Sequence, residues 1–349
     1  MVKAVNSLER VSLILQHKEA DRVPVYPLLS GISRKLIGES YKDWGTKAEI
    51  TAKALIKATE DYGLDCICTL TDLSVEAADY GQEIIFPENE AAHPNFNNHL
   101  LKGISDFSKI KKINPRETPR MSEHIKLCKL LVDAKGTETP IIAFIFGPLG
   151  ILSMLRGQEN LYMDLYDYPE EVKKAMETLT EMLMDYCDAL METGVHAIMI
   201  DTLFASRSIM RKEMWMEFEG HYVERIAKHV HDKGCMFMIH NCGQGIYFDV
   251  QIEAMKPDAI SFLHIPDDCK SYEEVKEKYG SVTTLIGYVP PTWIVSAKPE
   301  EVEEECRKEI DTMKKDGGFI LATGCEYPAN TSFDNAEVMV RVAKEYGEY

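Results

Sequence analysis

The stretch "YPEEVKKAMETLTEMLMDYCDALMETGVHAIMIDT" (residues 168–202) joins two kinds of pattern end to end. Pro169 stands in the first turn of a helical segment, Glu170 and Glu171 follow it, and Gly194 comes after the last helical residue. Proline suits a helix start because its missing N–H is not needed there, acids complement the N-terminal partial charge, and glycine accepts the geometry that ends a helix. "HAIMIDT" (196–202) then runs apolar without alternating, as a strand covered on both faces does. Helix followed by doubly buried strand is the repeating step of an α/β fold.

Working outward, the same step recurs. Apolar runs of strand length stand at "VPVYPL" (23–28), "DCICTL" (65–70), "IIAFIFGP" (141–148), "CMFMIHN" (235–241), "AISFLHI" (259–265), "TTLIGYV" (283–289) and "GGFILATGC" (317–325), which with 196–202 makes eight. Helix grammar repeats in "CKSYEEVKEKYG" (269–280) and "KPEEVEEECRKEIDTMKKDGG" (298–318). Eight strand-then-helix units predict a (β/α)8 TIM barrel. A doubly wound open sheet is the alternative; the count of eight and the missing Gly-rich turn after the first strand favour the barrel. "SLERVSLILQHKEADRVP" (7–24) predicts an N-terminal helix, and "GQEIIFPENEAAHPNFNNHLL" (81–101) a hairpin insertion after strand two, over the barrel mouth. With no Pro/Gly/Ser linker, charge block or low-complexity tract, residues 1–349 read as one domain.

Composition narrows the function. A net charge of −18, with basic residues interleaved among acids, argues against a nucleic-acid partner. No run of about 18 uncharged apolar residues is present to cross a bilayer, and the N-terminal segment lacks an export cleavage pattern, so the expected location is the cytoplasm, with no membrane partner. Nine cysteines without framework spacing then read as free thiols or metal ligands. Cys66 and Cys68, alternating in "DCICTL", and Cys187, on a helix face, read as core packing.

In such a barrel the chemistry sits at the C-terminal ends of the strands. Those ends carry Asp72, Asp201, His240 and Cys242, His264, Tyr288 and Cys325. His240 and Cys242, at i and i+2 of extended backbone, present an imidazole and a thiol on one face. Cys325, in "LATGCEYPANTS" (321–332), supplies a third soft donor from another strand. Nitrogen and sulfur donors with one position open suit a zinc ion that exchanges a ligand. Asp201 is a candidate for orienting His240 or a substrate group, and Tyr288, Asn330 and Ser332 are candidates for lining the pocket, although all three types are common in barrel loops.

At these residues the chain resembles the uroporphyrinogen decarboxylase superfamily, and within it the zinc-dependent, corrinoid-linked methyltransferases. The likeness runs from "SLERVSLILQHKEADRVPVYP" (7–27) through "TLTDLSVEAADYG" (69–81) and "GPLGILSMLRGQENLYMDLYDYPEEV" (147–172) to "MIHNCG" (238–243), "LIGYVPP" (285–291) and "ATGCEYPANTSFDNAEVMV" (322–340). It implies a barrel of the uroporphyrinogen decarboxylase type and zinc held by His240, Cys242 and Cys325. It further implies transfer of a methyl group between a corrinoid, carried on a partner protein, and a zinc-activated small thiol such as coenzyme M. Run in the reverse sense, the same site would take a methyl group from a methylated S, N or O compound.

Two departures separate the chain from the decarboxylases. Where they carry an arginine-rich segment after the first strand, this sequence has "PLLSGISRKL" (27–36), with one Arg and one Lys, and Tyr288 stands where an Asn is usual. Asp72 does match their catalytic aspartate, which keeps a metal-free decarboxylase as the alternative. A likeness to cobalamin-independent methionine synthase, with an acidic ligand on the intervening strand, makes His264 a candidate for a fourth ligand or a substrate anchor.

Overall fold

Each apolar run becomes a strand of one parallel sheet. The computed structural model describes residues 5–349. Its strands are β1 (Val25–Tyr26), β2 (Ile67–Cys68), β3 (Ile141–Phe146), β4 (Ala197–Asp201), β5 (Met236–Asn241), β6 (Ala259–Phe262), β7 (Thr284–Ile286) and β8 (Phe319–Ala322). Consecutive strands from β2 to β8 are neighbours, and β8 pairs with β1, so the sheet curls into a barrel ringed by helices. The expected (β/α)8 architecture is the observed one.

The absence of polar alternation has a direct cause. Ile142, Phe144, Ala197, Met199, Met238, Ala259, Ile286 and Ile320 fill the barrel interior. Their neighbours Ile141, Ile145, Ile198, Ile200, Phe237, Ile239, Ile260 and Leu285 pack outward beneath the helices. Both faces of a strand are therefore dry, and burial of apolar side chains drives both layers. The long helix Pro169–Met191 shows the matching logic: Val172, Met176, Leu179, Leu183, Cys187 and Leu190 make one buried stripe. Beyond it Gly194 takes φ +92°, a left-handed conformation that a side chain would strain. Cys66, Cys68 and Cys187 are core thiols, as expected.

The barrel closes differently at its one unpaired seam. No strand ladder joins β1 to β2. Instead the Asp65 N–H donates to the Val25 carbonyl at 3.0 Å, and the Val25 N–H donates back to Asp65 Oδ2 at 2.8 Å. A carboxylate stands in for the missing backbone acceptor. Its charge is balanced by Arg10 and Arg22, each with a nitrogen 2.8 Å from an Asp65 oxygen, and Ser7 donates to Oδ1 at 2.8 Å.

The two ends of the barrel are finished by the two predicted additions. Below, the helix Ser7–Leu15 starts with a capping box between Asn6 and Glu9 and inserts Val11 and Ile14 into the interior cluster. Above, Ile84–Ile85 pairs antiparallel with His93–Pro94, forming the hairpin after β2. Arg34 ties down the tip of this insertion, donating to Glu88 O at 3.2 Å and Asn89 Oδ1 at 3.0 Å. Among the described residues no helix is long and apolar enough to cross a membrane.

Candidate metal centre and its cavity

The inward alternation of β5 runs Met238, His240 and then, just past the strand end, Cys242. β8 delivers Cys325 to the same point through Thr323 and Gly324. One side-chain donor atom from each of His240, Cys242 and Cys325 lies within 4.8 Å of the others. Tetrahedral zinc with bonds of about 2.0–2.3 Å needs donors at that scale of separation. The imidazole is already oriented: its Nδ1 is hydrogen-bonded to Ser261 Oγ at 3.0 Å, leaving Nε2 for the cavity. Ser261 is the register partner of His240 across the β5–β6 ladder, so the barrel itself aligns the pair. The donor set fits a zinc ion. Replacing Ser261 with Ala is expected to weaken zinc binding roughly 10- to 100-fold in chelator competition while leaving the fold intact.

The thiols respond to one another and to the histidine. A hydrogen bond from Cys242 holds the Cys325 thiol well below its usual pKa against the opposing effect of burial, and His240 adds to the effect. Burial works against protonation of His240, but its hydrogen bond to Cys325 and the charges of Cys325 and Asp201 outweigh it and raise its pKa. Asp201, the β4 register partner of His240, is pushed up to about 7 by burial. Glu326, beside Cys325, is pushed up to about 7 for the same reason. Gly147 lets this floor close, since a Cβ there would meet Asp201 O at 2.7 Å and Glu219 Oε1 at 2.8 Å.

These groups face one cavity of about 720 Å³, lined by Asp72, Asp201, His240, Cys242, Cys325 and Glu326 among others. Phe144, Phe146 and Phe204 make its walls, and His93, Phe96 and His99 of the insertion make its rim, with His93 stacked on Phe96 at a centroid distance of 5.1 Å. The structure thus brings together five of the residues singled out from sequence: Asp72, Asp201, His240, Cys242 and Cys325. Asp72 arrives with its carboxylate occupied. Arg120 Nη2 lies 2.6 Å from Oδ2, while the Ser74 N–H, at 2.8 Å, and the Ser74 hydroxyl donate to Oδ1.

The other four lie elsewhere. His264 is partly buried beyond the end of β6 and is not among the cavity-lining residues. Tyr288 is turned outward: β7 ends at Ile286, alternation stops there, and the ring stacks on Tyr272 at 3.6 Å in the helical layer. Asn330 and Ser332 are exposed on the loop after β8. Nor does Asp201 take the His240 Nδ1, which belongs to Ser261. Sequence reasoning passed over Ser261, Glu326 and the rim residues. Ser261 becomes visible only once β5 and β6 are placed in register, whereas Glu326 stood in plain view beside Cys325.

Comparison with known proteins agrees with this architecture. The uroporphyrinogen decarboxylase (URO-D) family profile matches residues 6–346. The chain belongs to the URO-D family. Among curated relatives it is similar to the methylcobamide:CoM methyltransferase MtbA of Methanosarcina mazei, 23% identical over 345 residues and 97% of both chains. It is also similar to the methylcobamide:CoM methyltransferase MtaA of Methanosarcina barkeri, 23% identical over 347 residues and 97% of both chains. A uroporphyrinogen decarboxylase of Ruthia magnifica is 19% identical over 311 residues, 86% of each chain. Among solved structures, a methyltransferase from Methanosarcina mazei superposes with a TM-score of 0.84 at 20% identity, covering 98% of this chain and 99% of that one. Relatives of both names therefore resemble this member of the URO-D family along most of its length.

Proposed function

We propose that the protein is a zinc-dependent methyltransferase that moves a methyl group between a corrinoid, carried on a separate protein, and a small thiol. The observation that carries this reading is the convergence of His240, Cys242 and Cys325 donors at the floor of the cavity. Zinc held there would keep a bound thiol deprotonated at neutral pH while leaving its sulfur nucleophilic. The chain's own residues do the rest. Ser261 fixes the imidazole, the Phe144, Phe146 and Phe204 walls exclude water, and the mouth beside Phe96 is where a macrocycle too large to enter would rest.

The decarboxylase reading is less well supported by the same cavity. Asp72, the residue it would need, is already held by Arg120 and Ser74. A poly-acidic substrate also needs cationic clamps. Arg34, from the segment where decarboxylases carry several arginines, is spent partly on the insertion and lies outside the cavity lining.

Two measurements test the proposal. Elemental analysis of the purified protein should find about one zinc per chain, as expected for a site with three protein ligands. The zinc-loaded protein should then demethylate methylcobalamin only when a thiol is added, followed by the cobalamin absorbance; coenzyme M, named in the relatives above, is tried alongside neutral and cationic two-carbon thiols. A protein that retains no stoichiometric metal after purification with added zinc would end this reading.

A further inference from the structure

The charge of the cavity bears on which thiol it takes. Its lining includes the carboxyl groups of Asp72, Glu159, Asp201 and Glu326, and no Lys or Arg. Asp72 is neutralised by Arg120. No Lys or Arg pairs with Asp201 or Glu326 among the described residues. Asp201 is 3% exposed, and the only hydrogen bond to its side chain among the described residues comes from the Leu203 N–H, 2.9 Å from Oδ1. Glu326 receives the Gly31 N–H at 2.9 Å and the Tyr41 hydroxyl at 3.2 Å, both on Oε1. One oxygen of each, Asp201 Oδ2 and Glu326 Oε2, thus has no protein partner, and both residues line the cavity beside the metal ligands. Two thiolates and a neutral imidazole cancel the formal charge of a zinc ion, so a filled metal site brings no net positive charge to these two carboxyl groups. The walls include the rings of Phe144, Phe146 and Phe204, whose faces attract cations.

We infer that the small thiol accepted at this site carries a cationic tail, with its positive group set between Asp201, Glu326 and the phenylalanine walls. This rests on the thiol-binding reading above and names the class of thiol. A sulfonate or carboxylate in the same place would face two carboxyl groups with no counter-charge in the lining, and burying an unpaired charge is costly. A cation there supplies the counter-charge that both carboxyl groups lack.

Three two-carbon thiols that differ in tail charge separate the possibilities: 2-(trimethylammonio)ethanethiol, 2-mercaptoethanol and 2-mercaptoethanesulfonate. The trimethylammonium and sulfonate heads are both compact and tetrahedral, and the former cannot chelate zinc through nitrogen. Each is titrated calorimetrically into the zinc-loaded full chain, with zinc content measured before and after. The cationic thiol should bind at least about tenfold more tightly than the sulfonate, the equivalent of one charge-assisted contact. Asp201→Asn and, separately, Glu326→Gln should shrink that ratio while zinc content stays unchanged; the second variant serves if the first, at a buried position, fails to fold. Equal affinities, or a preference for the sulfonate, overturn the cationic-tail proposal. If a sulfonate preference is then lost in Arg34→Met, the anchor is the buried Arg34 guanidinium, whose Nε and Nη1 take no hydrogen-bond partner. Binding of none of the three by a protein that holds its zinc overturns the thiol reading itself, a result distinct from binding with the wrong preference.

Discussion

Replacing Cys242 or Cys325 with Ala is expected to abolish stoichiometric zinc binding and reduce thiol-dependent demethylation by about a thousandfold or more. The size follows from what is removed. Each thiol is one of only three protein donors, and an open site with two remaining donors no longer holds zinc against water and buffer. Without the metal a thiol of ordinary pKa, about 8.5, is mostly protonated at neutral pH. His240→Ala should behave in the same way, because its Nε2 is the only nitrogen in the set. Zinc content and turnover are measured on the same preparations, with circular dichroism to confirm the fold. A variant that loses zinc yet turns over normally would disconnect the triad from the chemistry.

The second large effect concerns the fold. Asp65→Ala is expected to destabilise the protein by about 3–5 kcal/mol, the range for breaking a buried ion pair and leaving its partners unpaired. Arg22 would then lose its carboxylate partner, Arg10 would keep only Asp21 of its two, and the Val25 N–H would lose its acceptor. The Asp65 side chain is fully buried, so little solvent screening softens the loss. Urea denaturation measures the change. The control is Asp61→Ala: its partner Lys57 and Asp61 itself are 45% and 40% exposed, and such a pair is worth about 0–1 kcal/mol. Similar midpoints for the two variants would refute the role given to the seam.

The seam also marks where a sequence reading stops. "DCICTL" is legible as a strand because its apolar residues are packed on both faces. That its leading aspartate replaces a ladder acceptor depends on β1, some 40 residues earlier in the chain. The metal centre divides along the same line. His240 and Cys242 were readable because strand geometry converts a two-residue spacing into a shared face, and Cys325 because barrels gather their strand ends. Ser261 was not readable, since its role exists only through inter-strand register. Tyr288 illustrates the opposite case: alternation carried past the end of β7 points the ring inward, but Gly287 follows the last strand residue and the ring finds Tyr272 instead. Strand-end logic thus holds for as long as the ladder does, and the loops beyond it answer to their own neighbours.

The helix that plugs the bottom of the barrel has a kinetic consequence. Leu8, Val11 and Leu15 lie against Met236, Met238 and Ile320, so among the described residues the lower end is apolar and filled, while the cavity opens at the rim formed by His93, Phe96 and His99. On the proposed chemistry, a small molecule must pass that mouth and a macrocycle must then cover it. Two substrates sharing one doorway cannot arrive in either order: the small one enters first, the large one seals it in, and the methylated product waits until the seal lifts. The turnover cycle is in that sense a queue, and its order is set at the end of the barrel farthest from the chemistry.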